Sequence, residues 1–135
     1  MIEITPKPIS PQQLIESVKS DSSGCIVTYI GLIRDNSRGK QVLSVEYEDP
    51  DGTARDKLQA LASEAKHKWQ LNGIAISHRV GKLKVGDINL VIALSSAHRK
   101  QGLAASSYLI DRFKEVMPTH KKETYTDGTI WVKGK

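Results

Sequence analysis

The stretch from Ile88 to Glu123 constrains the fold of this chain more than any other. It begins with an apolar run over 88–94, which is typical of a strand that is buried on both faces. After a polar break at 95–99, apolar residues recur at the spacing of an amphipathic helix. The predicted stripe of this helix, which begins at about Lys100, comprises Leu103, Ser106, Ile110, Phe113 and Met117. Pro118 ends the helix, because proline cannot continue it and disfavours helical backbone just before it.

The rest of the chain mixes strands and helices without strict βαβ alternation, repeats or low-complexity tracts. Alternating and β-branched patterns predict further strands at 1–5, 25–33, 42–48, 74–80, 123–126 and 129–133. Capping residues and apolar spacing predict two more helices, from Ser10 to about Lys19 and from Thr53 to a stop at Asn72-Gly73. We therefore expect a single domain over residues 1–135, of the α+β class, with helices packed on a largely antiparallel sheet and a small additional hairpin.

Two polar segments are predicted to be connections. Residues 35–40 form either a mobile surface loop or a plain hairpin connection, and residues 81–87 lead into the central strand. Arg34 stands at the end of the strand predicted at 25–33. The scaffold therefore fixes the position of Arg34 more firmly than that of a loop residue.

The charge balance points to an anionic partner. The 135 residues carry 20 Lys and Arg against 15 Asp and Glu, which gives a formal charge of +5 and a pI near 9.4. Such a surface suits a phosphorylated metabolite, an acidic protein or a nucleic acid, and charge alone does not choose between them. Cys25 is the only cysteine, which excludes an intrachain disulfide and a thiolate cluster for zinc or iron.

No apolar run approaches the length of a membrane span, and residues 1–10 lack the apolar core of a signal peptide. A cytoplasmic protein is expected. The four histidines are far apart in sequence, and neither His98 nor His120 has a nearby cysteine or paired carboxylates. No metal or other cofactor is expected for this chain.

The junction before the long helix has the chemistry of an anion site. A helix start leaves backbone N–H groups free, with the positive end of the helix dipole behind them. His98 adds a titratable donor at this point, and Arg99 adds a guanidinium whose geometry suits phosphate oxygens. The simpler interpretation is that Ser95 and Ser96 only cap the helix and that Arg99 is solvated.

Two lysines follow at the far end of the same helix. Lys114 lies one turn beyond Ile110, at the edge of the apolar stripe, and Lys121 follows the break at Pro118. A lysine half covered by an apolar edge, with other cations nearby, would lose proton affinity and could act as an acid, a base or an amine nucleophile. The alternative is that each lysine lies along the surface with its ammonium in water.

A series of short motifs runs through the chain. They are Gly-Leu-Ile-Arg at 31–34, His-Arg-Val-Gly at 78–81, Gly-Asp at 86–87, Ser-Ser-Ala-His-Arg at 95–99, Asp-Arg-Phe-Lys at 111–114 and Pro-Thr-His-Lys-Lys-Glu at 118–123. The series resembles the large, catalytic subunit of molybdopterin synthase, and the similarity extends from about Gly24 to Trp131. Ser-Ala-His-Arg followed at a fixed distance by two lysines is the most specific part of it.

The resemblance implies an α/β-hammerhead architecture with a small additional sheet, in a homodimer within a heterotetramer. It implies an enzyme that converts cyclic pyranopterin monophosphate into molybdopterin by installing a dithiolene. The two sulfurs would arrive on the C-terminal thiocarboxylate of a small ubiquitin-like sulfur-carrier subunit. By position, Arg34, His98 and Arg99 match the phosphate and pterin pocket of the family, and Lys114 and Lys121 match the lysines at its reaction centre.

Two other functions are compatible with the basic charge. One is a nucleic-acid-binding module, although only 5% of the residues are aromatic and they are not interleaved with basic residues as a stacking platform requires. The other is a small dimeric scaffold whose basic cluster docks an acidic tail without catalysis. The catalytic hypothesis makes a geometric demand that these do not: the phosphate site at the start of the long helix must face Lys114 and Lys121.

Overall fold

The computed structural model describes residues 1–133, which form nine strands and three helices. The strands are β1 (Ile2–Thr5), β2 (Cys25–Leu32), β3 (Asn36–Ser37), β4 (Lys40–Glu48), β5 (Gly73–Arg79), β6 (Gly81–Lys84), β7 (Ile88–Ser96), β8 (His120–Tyr125) and β9 (Ile130–Lys133). The helices are α1 (Pro11–Val18), α2 (Ala54–Lys68) and α3 (Arg99–Val116). The predicted domain also includes residues 134 and 135, which lie outside the described residues. Between residues 1 and 133, no helix is long and apolar enough to cross a membrane.

Strand β7 is at the centre of the first sheet, whose strand order is β1-β5-β7-β2. It pairs antiparallel with β5 and β2, while β1 joins β5 in parallel. Alternate residues of β7 face opposite sides of the sheet. Val91 and Ala93 share a core cluster with α1, whereas Leu90, Ile92 and Leu94 pack with α2 and α3. The predicted burial of this strand on both faces and the α+β class are therefore confirmed.

The second sheet is built around β4, which pairs antiparallel with β3, β6 and β8, and β9 extends the sheet beyond β8. Residues 81–84 were predicted to be a connection, but they form β6, because Leu83 supplies one fully buried position. Strand β8 begins at His120, three residues before the predicted start, because its pairing with β4 continues as far as Glu48. Lys121 therefore lies on a strand and not in a loop.

The two predicted helix caps have different outcomes. Ser10 caps α1, since its hydroxyl accepts a hydrogen bond from the Gln13 N–H. The Thr53 side chain does not cap α2, because its backbone is already helical and an N-cap side chain reaches the helix from extended backbone. Asp49 takes this role, with Oδ1 accepting a hydrogen bond from the Ala54 N–H at 3.3 Å.

Small residues bring α3 close to the sheet. Its buried residues are Gly102, Ala105, Ser106 and Leu109. A Cβ added to Gly102 would lie 2.8 Å from Ser96 Oγ and 3.1 Å from Val27 Cγ2. Leu103, which the predicted stripe placed against the core, is exposed. The stripe is therefore wrong at this position, because glycine and alanine, and not leucine, form the contact with β2 and β7.

Residues 35–40 form a tight hairpin, so the second of their two predicted forms is confirmed. Ser37 pairs with Lys40, and between them Arg38 and Gly39 have left-handed backbone angles, with φ of 56° and 75°. These angles are those of a two-residue type I′ turn. The Arg38 guanidinium lies 4.5 Å from the ring centroid of Trp131. This cation–π contact helps to offset the cost of a non-glycine residue in the left-handed region.

Replacing Gly102 by alanine should destabilise the fold by about 1–3 kcal/mol, because the new Cβ overpacks the contact between α3 and the sheet. Helix propensity alone predicts the opposite sign, since alanine is favoured over glycine within a helix by about 1 kcal/mol. Urea unfolding measures the change. The exposed Ala104 supplies the control, because Ala104→Gly should lose about 1 kcal/mol through propensity. A stabilised G102A protein would contradict the close approach of α3.

Candidate active site

Lys114 and Lys121 line one cavity of about 500 Å³, which we call the lysine cavity. Lys114 is in the last turn of α3, and Lys121 is on β8. The apolar and aromatic residues that line the cavity are Tyr29, Tyr47, Leu90, Ile110, Phe113, Met117 and Trp131. The structure therefore brings together the two lysines that the sequence singled out.

A buried carboxylate holds Lys121. Lys121 Nζ lies 3.3 Å from Glu123 Oε2, and residues two apart on a strand face the same side. Glu123 is only 3% exposed, and its Oε1 accepts hydrogen bonds from the hydroxyls of Ser37 and Tyr125, both at 2.8 Å. Burial alone would raise the pKa of Glu123, but these hydrogen bonds and the Lys121 ammonium together lower it. The carboxylate is therefore ionised at neutral pH and fixes the Lys121 ammonium at the cavity.

Lys114 has a different environment. It is exposed, and it forms no ion pair or side-chain hydrogen bond with any residue between 1 and 133. The half-buried position predicted for it is therefore wrong, because the residues of α3 that face the core lie on the side of Gly102 and Leu109. Its long side chain can reach toward a reactant in the cavity from the rim.

Arg34 lines a narrow cleft of about 60 Å³ beside the lysine cavity. It is exposed and lies two residues after β2, which ends one residue earlier than predicted. The preceding residue, Ile33, is buried, and its backbone forms hydrogen bonds with Asp87 and Gly86, which hold the start of this connection in place. Tyr47 and Lys121 line both the cleft and the lysine cavity. Arg34 is thus brought next to Lys121. With Lys133, which also lines the lysine cavity, the two spaces present four cationic side chains.

His98 and Arg99 lie in a different place. They are the N-cap and the first residue of α3, and with Cys25 and Lys100 they line a separate surface depression of about 450 Å³. A helix rises by about 1.5 Å per residue, so Arg99 lies about 22 Å from Lys114 along α3. The prediction that the phosphate site faces the two lysines is therefore wrong within one chain.

The start of α3 is nevertheless open to an anion. Ser95 and Ser96 are buried in β7, and the Ser96 hydroxyl donates to the carbonyl oxygen of His98 at 2.7 Å. The N-cap residue, His98, makes no side-chain capping hydrogen bond. The simpler interpretation, in which the two serines only cap the helix, is therefore wrong. Exposed His98 and Arg99 stand beside backbone N–H groups that can bind phosphate oxygens.

Sequence reasoning missed two residues that shape the site. The first is Glu123. The order Lys-Lys-Glu at 121–123 would have indicated its ion pair with Lys121 if these residues had been assigned to a strand, because the first and third residues then share a face. Tyr47 comes to the cavity through the pairing of β4 with β8, which places it directly opposite Lys121. No local sequence signal records that pairing.

The site is rich in cations and not in metal ligands. Between residues 1 and 133, no group of three or more His, Cys, Asp or Glu side chains is placed to hold a metal ion. Ammonium and guanidinium groups of the kind found here attract anionic ligands.

Comparisons with known proteins decide the family. The chain matches the family model described as MoaE protein over residues 4–116. It belongs to the MoaE family. The molybdopterin synthase catalytic subunit of Bacillus subtilis is 38% identical to this MoaE-family chain over 130 residues, which cover 96% of this chain and 83% of the relative. The Homo sapiens molybdopterin synthase catalytic subunit is 36% identical over 97% of this chain and 70% of the relative.

Solved structures agree with this assignment. The crystal structure of molybdopterin synthase from Staphylococcus aureus matches this MoaE-family fold with a TM-score of 0.91 and 35% identity, over 99% of this chain and 97% of that chain. A complex of subunits 1 and 2 of molybdopterin-converting factor from Helicobacter pylori matches with a TM-score of 0.72 over 93% of this chain and 85% of that chain; at 15% identity, this likeness shows the fold alone. The fold that the sequence resemblance implied, and membership of a sulfur-transferring enzyme family, are therefore confirmed.

Glu123→Gln should lower the free energy of unfolding by about 1–3 kcal/mol at neutral pH, because it removes a charge that hydrogen bonds and Lys121 stabilise. The folded-state pKa of Glu123 lies below its ordinary value of 4.5. The stabilisation is therefore fully present above that value and is lost as the pH falls through the folded-state pKa. Urea titrations at a series of acidic pH values measure it. The difference between wild type and E123Q should shrink on acidification, and a constant difference would contradict an ionised buried carboxylate.

Proposed function

We propose that this chain is the catalytic subunit of a molybdopterin synthase, which adds sulfur to cyclic pyranopterin monophosphate and forms the dithiolene of molybdopterin. The observation that carries the proposal is the convergence of Lys114 and Lys121 on one cavity in a chain of the MoaE family. Lysine side chains beside aromatic walls suit an anionic substrate with a flat ring system.

The environments of the two lysines give them different roles. Glu123 holds the Lys121 side chain in an ion pair, and the positive charge placed there stabilises the negative charge that develops as sulfur adds and the cyclic phosphate opens. Lys114 has no such partner between residues 1 and 133, so its amine can approach the reacting atoms and move protons. The charge of Lys121 is already in place before the reaction and therefore requires no rearrangement during it.

The sulfur arrives, in this proposal, on the C-terminal thiocarboxylate of a small ubiquitin-like sulfur-carrier subunit. Cys25, the only cysteine of the chain, lines the depression beside His98 and not the lysine cavity, so no cysteine of the same chain lies beside Lys114 and Lys121. The Helicobacter pylori structure, named as a complex of subunits 1 and 2 of molybdopterin-converting factor, supports a partner subunit. The cationic cavity attracts an anionic terminus electrostatically.

His98 and Arg99 enter the proposal through a second copy of the chain. The start of α3 suits the substrate phosphate, but it lies about 22 Å from Lys114 in the same chain. A homodimer that brings the start of α3 of one protomer to the lysine cavity of the other would join the two halves of the site. Arg34 would complete the anion contacts, and two bound sulfur carriers would make a heterotetramer.

A cytoplasmic location is part of the proposal. Cys25 is a free cysteine, and reducing conditions in that compartment keep thiols free. A thiocarboxylate carrier likewise needs surroundings in which its sulfur is not oxidised.

Lys114→Ala should abolish product formation from cyclic pyranopterin monophosphate and the thiocarboxylated partner, because it removes the amine that reaches the reacting atoms. The fold and partner binding should persist, since Lys114 is exposed. Mass spectrometry of the product and size-exclusion chromatography of the complex measure the two properties. Lys122→Ala is the matched control, because Lys122 is exposed and faces the side of β8 opposite to Lys121. Unchanged turnover in K114A would remove the assignment.

Mixing two inactive variants tests the shared site. K114A lacks one half of the proposed site and R99A lacks the other, so neither homodimer should form product. A mixed dimer has one intact site, and statistical exchange of subunits should restore about one quarter of the wild-type turnover. Native mass spectrometry verifies the mixed dimer. Turnover that stays near zero once mixed dimers are present would contradict a site built from two protomers.

A further inference from the structure

Tyr47 lies where the lysine cavity and the cleft beside Arg34 meet. The pairing of β4 with β8 places it directly opposite Lys121, and the pairing with β6 places it opposite Gly81, which has no side chain. The phenol ring therefore lines both spaces, next to the ammonium that Glu123 holds.

A β-bulge in β7 aims Asn89 at the hydroxyl of Tyr47. The register between β2 and β7 shifts after Gly31 and leaves Asn89 without a partner on β2. Bulges of this kind re-aim side chains and are frequent next to active sites. Asn89 and Leu90 both line the lysine cavity although they are adjacent in sequence. From this position, Asn89 Nδ2 donates a hydrogen bond to Tyr47 Oη at 3.2 Å.

The packing of the amide fixes the direction of this hydrogen bond. Asn89 Oδ1 is buried and has no hydrogen-bond partner between residues 1 and 133. It rests against the backbone of Gly31, where an added Cβ would lie 2.8 Å away. If the oxygen and nitrogen of the amide were exchanged, the NH₂ group would lie against the Cα–H of Gly31 and would have no acceptor. A buried donor without an acceptor is rarer than a buried oxygen without a donor. Asn89 therefore donates and Tyr47 accepts.

The proton of the Tyr47 hydroxyl remains available for another acceptor. The hydroxyl donates no hydrogen bond to any group between residues 1 and 133. Burial raises the pKa of Tyr47, the Asn89 hydrogen bond lowers it, and the charge of Glu123 raises it, with a net result above the ordinary value of 10.0. The hydroxyl is therefore protonated at neutral pH and can donate.

His78 holds this arrangement in place. It is fully buried between the rings of Tyr47 and Phe113, with edge-on contacts at centroid distances of 5.1 and 5.2 Å. Its Nδ1 donates to the carbonyl oxygen of Asn89 at 2.9 Å, since a carbonyl can only accept. Burial lowers the pKa of His78, so the ring is neutral and adds no charge to the cavity.

We propose that Tyr47 is a third residue of the lysine cavity that contacts the reactants, and that Asn89 is its positioning residue. The Tyr47 hydroxyl donates a hydrogen bond to an anionic oxygen or sulfur, carried either by the phosphorylated pterin or by the thiocarboxylate terminus of the partner. Together with the side chains of Lys114, Lys121 and Lys133, which line the same cavity, the hydroxyl proton offers donors to an acceptor-rich ligand. The identity of these reactants rests on the proposed function.

Tyr47→Phe should lower kcat/KM by about 10- to 100-fold, the range expected for the loss of a hydrogen bond to a charged group. Tyr108→Phe is the matched control, because it removes a hydroxyl that donates to Glu64 in the contact between α2 and α3. Y108F should retain wild-type turnover. Thermal unfolding of both proteins, compared with wild type, reports any loss of stability separately from the loss of turnover.

A double-mutant cycle tests the role of Asn89. Asn89→Leu keeps the size of the side chain and removes the donor. It should therefore lower kcat/KM, by a smaller factor than Tyr47→Phe does. In the Y47F background, Asn89→Leu should cause no further loss, because its effect passes through the hydroxyl. Additive losses in the double variant would overturn the positioning role.

Calorimetry separates the two sources of the acceptor. Wild type and Y47F are titrated with cyclic pyranopterin monophosphate alone and, separately, with the thiocarboxylated partner alone. A weaker affinity of Y47F for one of them supports the proposal and identifies the acceptor. Equal affinities for both, together with equal turnover, would overturn it. Absence of product from wild type would contradict the proposed function, whereas the affinity comparison would still decide the role of Tyr47.

Discussion

The close packing of α3 against the first sheet determines where both candidate anion sites lie. Gly102 and Ala105 let the helix approach β7, and its 18 residues then span about 27 Å from the open N-terminal turn to the rim of the lysine cavity. A packed helix of this length cannot fold back to bring its ends together. In the proposed function, a ligand that contacts both ends therefore does so between two protomers.

Electrostatic surroundings, more than residue type, distinguish the two lysines. Lys121 lies beside a carboxylate that is itself desolvated and held by two hydroxyls, so its position and charge are set before any ligand binds. Lys114 stands at the rim of the same cavity without such a counterion between residues 1 and 133. One cation is preorganised and the other is adaptable, a combination that suits a reaction in which charge develops at one point and protons move at another.

Features that local physics determines were predictable from the sequence. Pro118 ends α3, Ser10 caps α1, and the apolar run of β7 is buried on both faces, each for a reason visible within a few residues. Features that depend on the pairing of strands distant in sequence were not predictable. The strand that carries Lys121 exists because β4 extends to meet it, and Tyr47 reaches the cavity through the same pairing. The separation of Arg99 from Lys114, by contrast, follows from helix length alone and was available from the sequence.

The hairpin between β3 and β4 connects the protein surface to the lysine cavity. Ser37 donates to the carboxylate that holds Lys121, and Arg38 covers Trp131, a wall of the lysine cavity. Neither residue lines that cavity itself. A substitution of Ser37 would therefore change how Glu123 aligns Lys121, and a substitution of Arg38 would change the position of Trp131 in the cavity wall. In the proposed function, sequence drift in this turn is therefore coupled to catalysis, although the turn lies on the surface.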